Sequence, residues 1–65
     1  MKPNFFVVEF YEGCNCVART IAFTESEAEE LAKKSRGYDQ EHDIYRNAYT
    51  KAFETLAEAE AYINA

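Results

Sequence analysis

The chain has 65 residues, 48% of them hydrophobic, and a net charge of −5 from twelve acidic and seven basic side chains. This length fits a single domain over residues 1–65, and the hydrophobic fraction excludes low-complexity disorder. The acidic balance disfavours direct binding to nucleic acid or to an anionic membrane, because both require basic patches. No apolar run reaches the roughly 7–15 residues of a signal peptide or the roughly 20 of a membrane span, so we expect a cytoplasmic protein.

The first predicted element is a strand over residues 4–11, the most apolar run in the sequence. One face carries Phe6, Val8 and Phe10, and the other carries Phe5, Val7, Glu9 and Tyr11. Both faces are largely apolar, which is typical of a strand covered on both sides or of one whose second face meets a partner. We expect this strand to lie at the centre of a small sheet.

A hairpin and a helix follow. Residues 12–15 have turn chemistry, and residues 16–23 read as a second strand, so the loop between the strands is about three to five residues long. Thr24 with Glu27, or Ser26 with Glu29, fits a helix capping box. The predicted core stripe of the helix is Ala28, Leu31, Ala32 and Ser35, and Gly37 is the expected stop.

Residues 38–43 read as a polar connector, and the segment that follows fits two alternative structures. Residues 44–53 suit a third strand, but apolar pairs at a spacing of four also suit one long helix. We favour the strand, because Thr55 and Glu58 form a second capping box and such a box marks a helix start. A final helix over residues 56–64 would bury Leu56, Ala59, Tyr62 and Ile63.

The predicted fold is therefore α+β with element order β-β-α-β-α. A right-handed crossover through the first helix returns the third strand parallel to the second, so it can pair with the first. The result is a three-stranded antiparallel sheet of order 2-1-3 with both helices on one face. The second face of the sheet would then be open.

The patterns that suggest chemistry are weak. Cys14 and Cys16 supply half of a tetrahedral zinc site, so two chains would have to share one ion. His42 lies among acidic residues, but the sequence places no nucleophile against it. We therefore predict a non-enzymatic protein with no cofactor and no resident metal.

Acidic residues and tyrosines are the stronger candidates for a binding site. Asp39, Glu41 and Asp43 alternate through the connector, and if extended they would form a row spaced about 6.6 Å apart. Such a row could mimic nucleic-acid phosphates in a basic groove, whereas capping and solubility are the alternative explanation for the acidic residues. The predicted partner-binding residues are Asp39, Glu41, Asp43, Glu25, Glu29, Glu54, Tyr38 and Tyr45.

The chain resembles small acidic proteins of phages and mobile elements, in particular the type I anti-CRISPR inhibitors. The likeness lies in the compact length, the βα units that close with Phe23-Thr24-Glu25 and Phe53-Glu54-Thr55, and the excess of carboxylates. It implies a stoichiometric inhibitor, acting in the host cytosol, that binds a Cas subunit of a type I complex and blocks access to DNA.

Two functional hypotheses follow. The first is an acidic inhibitor that docks on a basic, nucleic-acid-binding partner, with salt-sensitive affinity. The second is a structural or assembly module that dimerises through the open sheet face or through bridged Cys14 and Cys16. The protein would be a monomer in the first case and at least a weak dimer in the second.

Overall fold

The computed structural model describes residues 4–65 as a four-stranded antiparallel sheet with two helices. The elements are β1 (Phe5–Glu12), β2 (Asn15–Ala22), α1 (Glu25–Ser35), β3 (Gly37–Asp39), β4 (Ile44–Phe53) and α2 (Leu56–Ile63). The strand order is β2-β1-β4-β3. The α+β class, the two helices and the antiparallel sheet are confirmed. The predicted number of three strands is wrong, because β3 forms inside the segment expected to be a polar connector.

Strand β1 lies between β2 and β4 and pairs antiparallel with both of them. Its neighbouring residues Val7 and Val8 point to opposite faces, and both are 0% exposed. A strand buried on both faces explains why this run is apolar without a polar side. The prediction of a central first strand is confirmed.

The turn between β1 and β2 is tighter than expected. Glu12 pairs with Asn15, so only two residues form the loop. Gly13 has a φ of 61°, which glycine adopts without steric cost, and its N–H donates to the carbonyl of Tyr45 at 2.8 Å. Further along, the register shifts between Phe10 and Tyr11, which leaves Val17 as an extra residue in a β-bulge.

Helix α1 begins where the capping box predicts. The Thr24 hydroxyl accepts a hydrogen bond from the backbone N–H of Glu27 at 3.1 Å. Ala28 and Ala32 are buried, and they form one cluster with Phe6 and Val8 of the sheet. Small alanine side chains let the helix approach the sheet closely, so α1 covers the face that carries Phe6, Val8 and Ala48.

Helix α2 covers the opposite face. The Tyr62 hydroxyl donates to Glu9 at 2.8 Å, and the Tyr62 ring lies 5.3 Å from the ring of Phe53. Glu9 and Phe53 share the face of Val7, so the expected placement of both helices on one face is wrong. The physical reason is the width of the sheet. The three long strands together are about 10 Å wide, which is about the diameter of one α-helix, so each face of the sheet accommodates one helix.

The interpretation of residues 44–53 as a strand is confirmed. Thr55 caps α2, since its hydroxyl accepts from the N–H of Glu58 at 3.2 Å and donates to the Glu58 carboxylate at 3.0 Å. The capping box therefore separates β4 from α2 rather than lying inside one long helix. Ala59 is buried, and Tyr62 and Ile63 are half-buried, whereas Leu56 is exposed, contrary to expectation.

Candidate functional site

Residues 39–43, which we call the acidic turn, close the β3–β4 hairpin. Asp39 Oδ1 accepts hydrogen bonds from the backbone N–H groups of Glu41 at 3.0 Å and His42 at 3.3 Å. These contacts fold the chain back on itself, as Asp side chains often do in turns. Asp43 has a φ of 52°, in the left-handed region. The expected extended row of Asp39, Glu41 and Asp43 is therefore wrong, because the segment is a tight turn.

Asp39 is neutralised by a neighbouring strand residue. Its Oδ2 lies 2.6 Å from Arg46 Nη1 and 2.8 Å from His42 Nδ1. Arg46 also pairs with Glu12 Oε2 at 3.1 Å. Two hydrogen bonds hold the pKa of Asp39 well below its usual range, and the bond from Arg46 has a larger effect than the bond from His42. Arg46 and His42 therefore balance the charge of Asp39, whereas Glu41 and Asp43 remain exposed.

The acidic turn also brings together three groups of the types that bind metals. One ligand atom each from Asp39, Glu41 and His42 lie within 4.8 Å of one another. However, Asp39 Oδ2 already contacts Arg46, whose fixed positive charge opposes a cation at the same oxygen. The arrangement is better described as an ion-pair network that holds the hairpin.

All five tyrosines lie on one face of the sheet, the face that α2 partly covers. Tyr38 pairs directly with Tyr45, and their ring centroids are 5.7 Å apart. Tyr11 packs edge-to-face on Tyr49 at 5.4 Å. We call the surface of these four residues the tyrosine face. Tyr62, the fifth, comes from α2 and lies over the buried end of the same sheet face.

The tyrosine face is open to solvent. Tyr45 is 69% exposed, Tyr49 is 53% exposed and Tyr38 is 51% exposed. The Tyr38 hydroxyl donates to the Asp43 carboxylate, which joins this face to the acidic turn. That bond raises the pKa of Tyr38 above its usual value. The predicted partner-binding set contains Tyr38 and Tyr45 but not Tyr11 or Tyr49, although the alternation of the latter two on predicted strands was a usable signal.

The remaining predicted site residues lie elsewhere. Glu25 and Glu29 are exposed on α1, and Glu54 is exposed just before α2. Both helices begin at the end of the sheet opposite the acidic turn, since β4 runs from Ile44 to Phe53 between the two ends. The ten residues of β4 separate those ends by about 30 Å. The structure therefore divides the predicted set in two.

The two cysteines are free and exposed in and beside the β1–β2 turn. Cys16 pairs with Tyr11, and Gly13 in the same turn bonds to Tyr45, so the thiols flank the tyrosine face. The Cys16 thiol makes one weak contact, with the carbonyl of Ala18 at 3.7 Å.

A buried carboxylate holds α2 in place. Glu9 is 8% exposed, and it accepts hydrogen bonds from Arg19 Nε at 3.0 Å and from the Tyr62 hydroxyl at 2.8 Å. Arg19 also donates to the carbonyl of Ile63 at 3.4 Å. Because both oxygens are satisfied, the charge is tolerated between helix and sheet. The position of Glu9 inside the most apolar run of the sequence was the signal that could have predicted this contact.

Comparisons with protein-family models, with curated proteins and with solved structures found no match to this chain. Neither helix in residues 4–65 combines the length and the apolar character needed to cross a membrane.

Proposed function

We propose that this protein is a non-catalytic acidic binding protein that docks on a basic, nucleic-acid-binding surface of a partner protein and blocks access of DNA. The observation that supports this is the hairpin end, where exposed Glu41 and Asp43 adjoin exposed Tyr38 and Tyr45. Carboxylates there would pair with the Lys and Arg side chains that otherwise contact phosphates. The net charge of −5 adds long-range attraction to the same kind of partner.

Tyrosines beside carboxylates make this surface more than a solvated acidic loop. A tyrosine offers a large contact area at a low cost in side-chain entropy, together with one polar tip. Tyr38 and Tyr45 pack on each other, so their rings are already ordered before any partner arrives. Less entropy is then lost on binding, which favours affinity.

The resemblance to type I anti-CRISPR inhibitors gives this proposal a specific form. The partner would be a Cas subunit of a type I complex. Inhibition would be stoichiometric, because each bound molecule blocks only the complex whose DNA path it occupies. The protein would act as a monomer in the host cytosol.

Charge variants of the acidic turn test the proposal. Asp39 must be kept, because replacing it would break the contact with Arg46 and disturb the hairpin. The informative variant is Glu41→Lys with Asp43→Asn, which changes the net charge by +3. Glu60→Lys with Glu30→Gln makes the same change at exposed positions on the helices and serves as the matched control.

The assay is capture of proteins from a host-cell lysate on the immobilised protein, over about 0.05 M to about 0.5 M salt. We expect the native protein to retain basic, heparin-binding proteins at low salt, the turn variant to lose them, and the control to keep them. Equal capture by both variants would refute the proposed surface.

A second candidate function is assembly through zinc. Cys14 and Cys16 are free and exposed in one turn, so two chains would together supply the four thiolates of a tetrahedral site. Light scattering with and without Zn²⁺ tests this, with Cys14→Ser and Cys16→Ser as a paired control. A monomer in the presence of Zn²⁺ would contradict it.

A further inference from the structure

The tyrosine face is the one broad aromatic surface that the helices leave open on residues 4–65. Helix α2 has eight residues and lies over the end of the sheet that carries Val7 and Glu9. Beyond it, Tyr11, Tyr45 and Tyr49 remain on the same sheet face with no element above them. Exposed aromatic surface of this kind is typical of a binding site.

The hairpin end of this face carries exposed negative charge. Asp43 accepts from the Tyr38 hydroxyl at the border of the face, and Glu41 is exposed in the adjoining turn. Two cations, Arg19 and Lys51, share the sheet face, but both lie at its α2 end against the Tyr62 ring. The other cationic side chains of residues 4–65 are Lys33, Lys34 and Arg36, which end α1 on the other side of the sheet, and Arg46, which is paired with Glu12 and Asp39. The surface therefore combines aromatic rings with carboxylates.

We propose that the tyrosine face, together with Glu41 and Asp43, binds arginine side chains of the partner in preference to lysine. This rests on the proposed function, because it specifies the chemistry of the same basic partner. A guanidinium group is planar, stacks on an aromatic ring and presents a fork of donors to a carboxylate, whereas a lysine ammonium is a strongly hydrated point charge. A guanidinium group stacked over Tyr45 would keep its outer N–H groups free for Glu41 and Asp43, and one stacked over Tyr49 would keep them free for neighbouring tyrosine hydroxyls.

Nucleobases and a second copy of this chain could also contact the aromatic rings, but the charge of this surface disfavours both. Nucleobases stack on tyrosines, but single-stranded binding sites add a basic groove for the phosphates, whereas the two cations on this sheet face, Arg19 and Lys51, both lie at its α2 end against the Tyr62 ring. A second copy of the chain would bring two acidic turns of like charge to the same interface. Both occupants are outcomes that the experiment distinguishes.

The probes are two peptides of about eight residues, one of arginine and one of lysine, which carry equal charge but differ in the ability to stack. Binding is measured by titration calorimetry, and the contact surface is mapped by amide chemical-shift changes in NMR spectra. We expect the arginine peptide to bind about tenfold more tightly and to shift the amides of Tyr38, Tyr45 and Tyr49.

Variants test whether the preference for arginine depends on the aromatic rings of the tyrosine face. Tyr45→Ala with Tyr49→Ala should weaken binding of the arginine peptide about tenfold, whereas the two Phe replacements should retain most of the arginine preference because they keep the ring. Phe23→Ala is the control, since Phe23 is an exposed ring that packs on Phe5 at the opposite end of the sheet from Tyr45. Circular dichroism checks that each variant keeps the fold.

The outcomes separate the two proposals. Equal binding of both peptides, lost in Glu41→Lys with Asp43→Asn but unchanged in the tyrosine variants, would overturn the arginine inference and leave the proposed function standing. Binding of neither peptide would overturn both. Tight binding of a thymidine oligonucleotide to the same rings, or self-association abolished by Tyr45→Ala with Tyr49→Ala, would also overturn the inference.

Discussion

Replacing Val7 by alanine tests the placement of the helices on opposite faces of the sheet. Val7 is 0% exposed on the face that α2 covers, so the change removes two buried methyl groups and leaves a cavity. We expect a loss of about 2–3 kcal/mol in the free energy of unfolding. A domain of this size has a total stability on the order of 3–5 kcal/mol, so the variant should retain roughly half of it or less.

Urea denaturation followed by far-ultraviolet circular dichroism measures this loss. With a slope of about 1 kcal/mol per molar urea, the unfolding midpoint of Val7→Ala should fall by roughly 2 M. Val8→Ala, on the face that α1 covers, should show a similar shift. Val17→Ala changes an exposed bulge residue and should cost less than about 0.5 kcal/mol. If Val7→Ala is as mild as Val17→Ala, then α2 does not cover that face.

Three further changes probe local contacts. Thr55→Ala removes the cap of α2 and should cost about 1 kcal/mol with a loss of helical signal; an unchanged midpoint would contradict the capping role. The pKa of Asp39 is lowered by Arg46, so its contribution to stability is present above the unfolded value of about 3.9 and is lost as the pH falls further. Asp39→Asn should therefore flatten the acid dependence of stability below about pH 4, and an unaltered acid titration would argue against this ion pair. Tyr62→Phe removes the hydroxyl bonded to Glu9 and should lower the thermal midpoint, whereas an equal or higher midpoint would show that this bond contributes nothing.

Local signals were sufficient to predict the starts of both helices. Thr24 and Thr55 each bond to a residue three positions along, so the information lies within one turn of the chain. The central position of β1 was also predictable, because apolar residues on both faces of a strand require cover on both sides. The same observation was compatible with cover on both faces, but the predicted arrangement placed both helices on one face and did not use Glu9 as a signal for the second helix.

Non-local contacts explain what the sequence did not reveal. Strand β3 has three residues, too few for an alternation pattern. It depends on the strand pairing of Tyr38 with Tyr45 and on the side-chain ion pair between Asp39 and Arg46. Arg46 is seven positions from Asp39 along the chain and faces the acidic turn only once the hairpin has closed. The tyrosine face likewise depends on register, which brings Tyr11 of β1 beside Tyr49 of β4.

In the proposed function, the acidic turn and the tyrosine face occupy a nucleic-acid-binding surface of the partner protein. A competition assay tests this: the partner captured on the immobilised protein is challenged with duplex DNA of increasing concentration at fixed salt. We expect DNA to release the partner and free native protein to displace DNA from the partner, whereas the Glu41→Lys with Asp43→Asn variant should not displace it. A ternary complex that holds the partner, this protein and DNA together would contradict it.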